Sequence, residues 1–179
     1  CPEALVRLVL GMHRGSRHHV RTAYGVSADA FEQRRGVLQG NPLSCALFNI
    51  FLDSLVCRLA ARPGFAAGDV RVGVLAYADD LALLAGTYED ARTVLRSASH
   101  FLAACGMSLS ARKCVYAPTV ASRALRLPGG DEIRVLGPAE PWKYLGVTFT
   151  SCLGWRPQRA ALASAVGAAA HALGTRALT

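Results

Sequence analysis

Val70-Arg71-Val72-Gly73-Val74-Leu75-Ala76-Tyr77-Ala78-Asp79-Asp80-Leu81-Ala82-Leu83-Leu84-Ala85 is the stretch on which the reading of this chain turns. The runs Val70 to Ala76 and Leu81 to Ala85 are strongly apolar and predict two strands. A tight turn at Ala78-Asp79-Asp80 joins them. Two neighbouring carboxylates between such strands need an explanation. About 5 Å apart at an effective dielectric of ~20, two unit charges repel by ~3 kcal/mol. A core-facing pair is therefore costly unless a cation or hydrogen bonds compensate it. Hard carboxylate oxygens suit Mg²⁺, which is commonly held by one or two carboxylates plus substrate phosphates. Two such ions ~3.5–4 Å apart can grip both the attacking and the leaving oxygen of a phosphoryl transfer. An ordinary solvated hairpin tip accounts for the same residues, since Asp is common in turns.

Working outward, a long helix precedes this hairpin. Leu47, Ile50, Phe51 and Leu55 form its expected buried face, and Arg62-Pro63-Gly64 stops it. Before that helix comes Gly36-Val37-Leu38-Gln39-Gly40-Asn41-Pro42-Leu43-Ser44, a Gly- and Pro-shaped loop that presents a polar Gln39. Ser44 is placed to cap the helix. Further upstream, Leu5, Leu8, Val9 and Met12 predict a first helix with Pro2 in its opening turn. His19 to Tyr24 reads as a strand, Gly25 to Asp29 as a turn, and a second extended stretch begins at Phe31.

Downstream, Thr87 and Asp90 predict a capping box for a third helix. Ala91, Val94, Leu95, Ala98, Phe101 and Leu102 make its apolar stripe, and Gly106 closes it. Arg123 to Leu127 and Ile133 to Leu136 flank Gly129-Gly130 as a hairpin. Trp142 to Phe149 reads as another strand, and Pro157 begins an Ala-rich helix. The order of elements predicts an α+β fold, an antiparallel sheet with helices packed on one face.

The chain has 179 residues, 52% of them hydrophobic and 18% charged, which excludes a disordered chain. Twenty Lys and Arg against twelve Asp and Glu give a net charge of +8, which favours polyanionic partners. Arginine dominates, and its planar fork suits phosphate. No apolar run is read as reaching the ~18 residues of a membrane span, so no membrane partner is expected. The six cysteines, Cys1, Cys45, Cys57, Cys105, Cys114 and Cys152, have no metal-finger spacing. They read as free thiols, mostly in apolar surroundings, of an intracellular protein. His18 and His19 read as surface or RNA-facing residues.

Taken in order, the motifs resemble those of a reverse transcriptase. Gln39-Gly40-Asn41-Pro42-Leu43-Ser44 and Tyr77-Ala78-Asp79-Asp80 look like two successive motifs of that family. Gly106-Met107-Ser108-Leu109 with Lys113-Cys114 resembles the next. Trp142-Lys143-Tyr144-Leu145-Gly146-Val147 resembles the primer-grip region in its LINE (non-LTR retrotransposon) form. Group II intron maturases share nearly the same loop and Asp pair, and a non-catalytic nucleic-acid-binding remnant of a retroelement also fits.

The resemblance implies a polymerase palm fragment over 1–150, with 151–179 starting a thumb or connecting helix. It implies RNA-directed DNA polymerase chemistry with Mg²⁺, or Mn²⁺, held by Asp79 and Asp80. Gln39, Gly40 and Pro42 would line the nucleotide and template pocket, and Lys113 would approach the phosphates. Tyr144, Leu145 and Gly146 would sit under the primer end. RNA template, DNA primer and deoxynucleoside triphosphates would be the partners, and the nucleus the expected location. The sequence departs from the family pattern at Asn41, where Asp is usual, and at Cys45, where Pro is frequent. The family carries a further aspartate on an upstream strand, and Asp29, Asp53, Asp69 and Asp131 do not match it. The expectation is that this stretch alone polymerises nothing.

Overall fold

A computed structural model describes residues 2–33, 35–62, 64–120, 122–151 and 154–176. The chain gathers into two units, Cys1–Leu52 and Asp53–Thr179.

In the first unit, helix α1 (Glu3–His13) forms where its apolar spacing predicts. Pro2 stands at its N-cap, and Gly15, at φ 71°, turns the chain away beyond its end. Its stripe is not buried: Leu5, Leu8 and Met12 are exposed. Strands β1 (Arg17–Thr22) and β2 (Gly25–Glu32) then pair antiparallel, with Thr22 opposite Gly25. The turn is therefore Ala23-Tyr24, and Gly25 to Asp29, read as a turn from sequence, is strand. Register slips between His19 and Arg21, where the Val20 N–H donates to Ser27 Oγ (3.0 Å) instead of a ladder carbonyl.

Helix α2 (Pro42–Ala60) is capped by Asn41, whose side-chain oxygen accepts from the Leu43 N–H at 2.9 Å. That replaces the expected cap at Ser44, which lies one turn inside the helix and is buried. Leu52, Leu55 and Leu59 are buried, whereas Ile50 is 69% exposed. Of the predicted face, Leu55 is buried and Leu47 and Phe51 are half-buried, so Ile50 alone departs from it. By length and composition α2 is apolar enough to cross a membrane, which corrects the sequence reading that no run reaches that length.

In the second unit, β3 (Phe65–Ala67) pairs with β4 (Val70–Val72), and β5 (Val74–Tyr77) pairs with β6 (Asp80–Leu83), both antiparallel. The single strand expected over Val70 to Ala76 is split at Gly73. The cause is a close backbone crossing. A Cβ on Gly64 would lie 2.6 Å from Gly73 N and from Val72 C and O. The Gly73 carbonyl in turn accepts from the Leu84 N–H at 2.9 Å, extending the β5–β6 ladder.

Helix α3 (Tyr88–Ala104) matches its sequence signals closely. Thr87 Oγ1 accepts from the Asp90 N–H (3.1 Å) and donates to the Asp90 carboxylate (2.7 Å). At the other end the Gly106 N–H reaches Ala103 O and the Met107 N–H reaches Leu102 O, a Schellman closure with Gly106 at φ 73°. Val94, Leu95, Ala98 and Leu102 are buried as predicted. Leu95 packs with Leu125, Leu127 and Ile133, and Leu83, Leu109 and Tyr116 close around them. Burying an aliphatic side chain of this size stabilises by ~1.5–3 kcal/mol, so this cluster anchors β6 and the stretch from Leu109 to Ile133 to α3.

The 123–136 segment turns back on itself as expected, through an Arg126–Glu132 bridge and Gly130 at φ 93°. It then adds an unexpected parallel pair, β7 (Val115–Tyr116) with β8 (Arg134–Val135). Trp142 to Phe149 is not one strand but a hairpin, β9 (Trp142–Tyr144) with β10 (Val147–Phe149). Helix α4 (Arg156–Arg176) packs on β10, where Gln158 Oε1 accepts from the Thr148 N–H at 2.7 Å.

The α+β character holds. The one antiparallel sheet expected from element order does not assemble: the described strands form five two-stranded sheets, four antiparallel and one parallel. Most of these strands are two to four residues long, and the breaks at Gly73 and Leu145-Gly146 stop them from extending.

Candidate active site

The β5–β6 hairpin places Tyr77 opposite Asp80, so Ala78 and Asp79 are the two turn residues. Ala78 has φ 50°, the left-handed value that primed hairpin turns require at their first position. The turn thereby presents Asp79 at the tip and Asp80 at the first position of β6. Both are exposed, and among the described residues neither side chain makes a hydrogen bond or ion pair. Of the two arrangements the sequence leaves open, the solvated hairpin tip is the one that forms. In a water-like dielectric the repulsion at ~5 Å falls to below ~1 kcal/mol, so folding alone does not demand a cation. The donor set is still chemically apt, since two adjacent carboxylates offer hard oxygens. Among the described residues no third His, Cys, Asp or Glu joins them. Two carboxylates fit a Mg²⁺ that draws its remaining ligands from water and substrate phosphates.

The Gln39 loop lies in the first unit. Asn41 N–H reaches back to Leu38 O (3.3 Å), and Gly40 at φ 89° occupies the position where such a turn needs a left-handed residue. Gln39 and Gly40 are exposed at its tip, and Pro42 supplies the first helical residue. Behind the loop, a cavity of about 540 Å³ is lined by Leu10, His13, Arg14, Glu32, Arg35 and Leu38.

Lys113 ends a turn in which Ser110 O accepts from the N–H groups of both Lys113 and Cys114 (3.0 Å each). Its side chain is exposed, and no hydrogen bond or ion pair joins it to Asp79 or Asp80. Leu145 and Gly146 form the two-residue turn of the β9–β10 hairpin, at φ 48° and 83°. Positive φ at both positions is the type I′ signature. A Cβ on Gly146 would meet nothing within 4 Å, so this glycine serves backbone conformation rather than a tight contact. Tyr144 is half-buried with its hydroxyl unpartnered, and its ring lies 6.0 Å from that of Trp142. Trp142, Phe149 and Trp155 continue the aromatic stack at 5.8 and 6.0 Å. The loop entering β9 is held by Glu140, which accepts from the Gly137 N–H and from Arg134. These two bonds hold its carboxyl below the ordinary carboxylate value.

Of the cysteines, Cys45, Cys57, Cys105 and Cys114 are free thiols, and Cys1 and Cys152 lie outside the described residues. The first three are exposed rather than set in apolar surroundings, while burial pushes the Cys114 thiol up. His19 is exposed and bonds Ser27 O, and His18 packs its ring on Phe31.

The family described as reverse transcriptase (RNA-dependent DNA polymerase) matches residues 3–149, a span that holds the Gln39 loop, the β5–β6 hairpin, Lys113 and the β9–β10 hairpin. The chain belongs to the reverse transcriptase family. Its relatives place it among the LINE type. It is 38% identical over 127 residues to a retrovirus-related Pol polyprotein from a type-1 retrotransposable element R2 of Nasonia vitripennis, covering 65% of this chain and 12% of that protein. It is 35% identical over 136 residues to the type-2 element R2DM polyprotein of Drosophila melanogaster, covering 71% and 13%. With an R2 polyprotein of Popillia japonica the identity is 39% over 128 residues, covering 66% and 21%. This reverse transcriptase segment therefore spans about an eighth to a fifth of the length of these relatives.

Proposed function

We propose that this segment is the nucleotidyl-transfer part of the palm of an RNA-directed DNA polymerase encoded by an R2-like retrotransposon. The observation that carries this reading is the β5–β6 hairpin: two unpartnered carboxylates at a strained two-residue turn, inside the stretch that matches the family. In this reading 1–150 is palm, and α4 begins a thumb or connecting helix. Asp79 and Asp80 hold Mg²⁺, or Mn²⁺ in its place. The ion, when bound, stabilises the charge that develops on oxygens during phosphoryl transfer. The remaining work falls to the chain's own groups. Gln39 and Gly40 offer a polar side chain and a bare backbone to a base and sugar, and Pro42 holds that loop. Lys113, exposed and without a hydrogen bond or ion pair among the described residues, carries a positive charge towards the triphosphate and can hand a proton to the departing pyrophosphate. Leu145 and Gly146, at a rigid turn beside Tyr144, support the primer end. RNA template, DNA primer and deoxynucleoside triphosphates are the substrates, and the nucleus is the place of work. The relatives among R2 elements favour this over a group II maturase.

The test is a chimera in which residues 3–149 replace the matching segment of the Nasonia polyprotein. Primer extension on an RNA template should survive the exchange. Asp79→Asn in the chimera should abolish extension by orders of magnitude while leaving nucleic-acid affinity unchanged. Extension that persists in Asp79→Asn overturns the proposal.

A further inference from the structure

A second basic feature lies in the Asp53–Thr179 unit and shares no residue with the proposed active site. Between α3 and the 123–128 segment runs a groove of about 520 Å³, lined by Tyr88, Arg92, Arg96, Arg123, Arg126 and Pro128. Four arginines thus line one depression. Arg92 and Arg96 are one helical turn apart and so share a face of α3. Among the described residues, two carboxylates pair with these four arginines. Glu89 pairs with Arg92 at 3.1 Å and Glu132 with Arg126 at 2.7 Å, both in solvent. Exposed pairs of this kind contribute ~0–1 kcal/mol, so a better anion displaces them readily. Arg96 and Arg123 have no hydrogen bond or ion pair among the described residues.

The two walls of the groove are tied to each other. Tyr88 donates its hydroxyl hydrogen to Ala124 O (3.2 Å), tying the start of α3 to the opposite wall. Buried Leu125 and Leu127 root that wall in the core around Leu95. The set is all arginine, whose planar forks bind phosphate oxygens in pairs where lysine offers a point charge.

We infer that this groove is a backbone-binding site for nucleic acid, gripping phosphates of a strand through Arg96 and Arg123 with Arg92 and Arg126 at its margins. The inference rests on the reading of this chain as one that handles nucleic acid, but not on its catalytic residues.

The experiment is fluorescence anisotropy on the full 179-residue chain with a short fluorescein-labelled oligouridylate across a salt series. Arg96→Gln/Arg123→Gln should weaken binding by ~10-fold or more and flatten the log–log salt slope by ~1.4, at ~0.7 per lost single-strand phosphate. Arg96→Lys/Arg123→Lys should keep most of the slope and lose part of the affinity. This assay needs no nucleotide addition and the groove shares no residue with Asp79 or Asp80, so failure here is separable from failure of the extension test. Phenylglyoxal mapping of the unsubstituted chain gives a readout that no misfolding can imitate: oligouridylate should shield Arg96 and Arg123. Unchanged affinity and slope in the Gln double variant, or equal modification with and without RNA, overturns the inference. So does displacement of the RNA by polyglutamate as effective as by unlabelled polyuridylate, which would make the ligand an acidic peptide.

Discussion

Gly64→Ala tests the backbone crossing that sets the position of the β5–β6 hairpin. The added Cβ would lie 2.6 Å from three backbone atoms, Gly73 N, Val72 C and Val72 O. Normal van der Waals contact between carbon atoms is ~3.5–4.0 Å, so the strands must part by roughly 1 Å. No side chain can rotate away, because all three atoms belong to the main chain. Overpacking of this kind costs ~1–3 kcal/mol. The lower entropy of the unfolded alanine chain returns ~0.4–1 kcal/mol. The expected net loss is ~1–2 kcal/mol, or ~2–8 °C in melting temperature for a chain of this size. Gly86→Ala is the internal control, since its Cβ would meet nothing within 4 Å and its φ is not left-handed. It should melt at or slightly above the parent temperature. Thermal melts followed by circular dichroism decide the comparison. Hydrogen exchange of the Leu84 amide, which bonds Gly73 O, locates the damage. If Gly64→Ala melts no lower than Gly86→Ala, and the Leu84 amide keeps its protection, the close crossing does not exist.

Three further outcomes are expected. Thr87→Ala removes the hydroxyl that caps α3 and should cost ~0.5–2 kcal/mol in urea denaturation, with Thr87→Ser restoring most of it. Leu145→Asn should raise the melting temperature, because a left-handed leucine carries ~1–2 kcal/mol of strain that Asn tolerates better. The same change should reduce extension by the chimera if Leu145 supports the primer, and an unchanged rate would remove it from that role. Cys114 keeps its proton above the ordinary value of 9.0 because burial disfavours the thiolate. The stability this group contributes is therefore present below about pH 9 and declines as pH rises through its folded value. Iodoacetamide at pH 8 should label Cys114 more slowly than exposed Cys45, Cys57 and Cys105, as peptide mass spectrometry would show.

Helices proved more legible in this sequence than strands, and local signals more legible than burial. Thr87, Asp90 and Gly106 delimit α3 because capping is a contest between neighbours, decided within a few residues. The stripe of α3 was readable for the same reason, and its partners Leu125 and Ile133 supply the burial. The stripe of α1 was equally regular, yet Leu5, Leu8 and Met12 stay exposed. Periodicity gives a face but not what covers it. In α2, apolar on nearly every side, spacing put Ile50 on the buried face although it is exposed. The breaks in the strands were missed because they depend on distant backbone: Gly73 splits its run where Gly64 passes. Leu145 gave no sign of a turn because its conformation is left-handed against its own preference, and the Gly146 that follows was the only cue. The acidic tip is legible in the sequence but its exposure stays open there, since two Asp residues read alike in a core and in water. The arginine groove escaped notice because Arg92, Arg96, Arg123 and Arg126 meet only after α3 folds against a segment about 30 positions later.

The cap of α2 has a chemical consequence of its own. A carboxylate in that place would lose its charge in acid and loosen the first turn along with the Gln39 loop that leads into it. Asn41 carries no proton to gain, and no acidic residue stands in the opening turn. The cap itself is therefore indifferent to acidity, and no carboxylate of the helix's own first turn offsets the partial positive charge of its free amides.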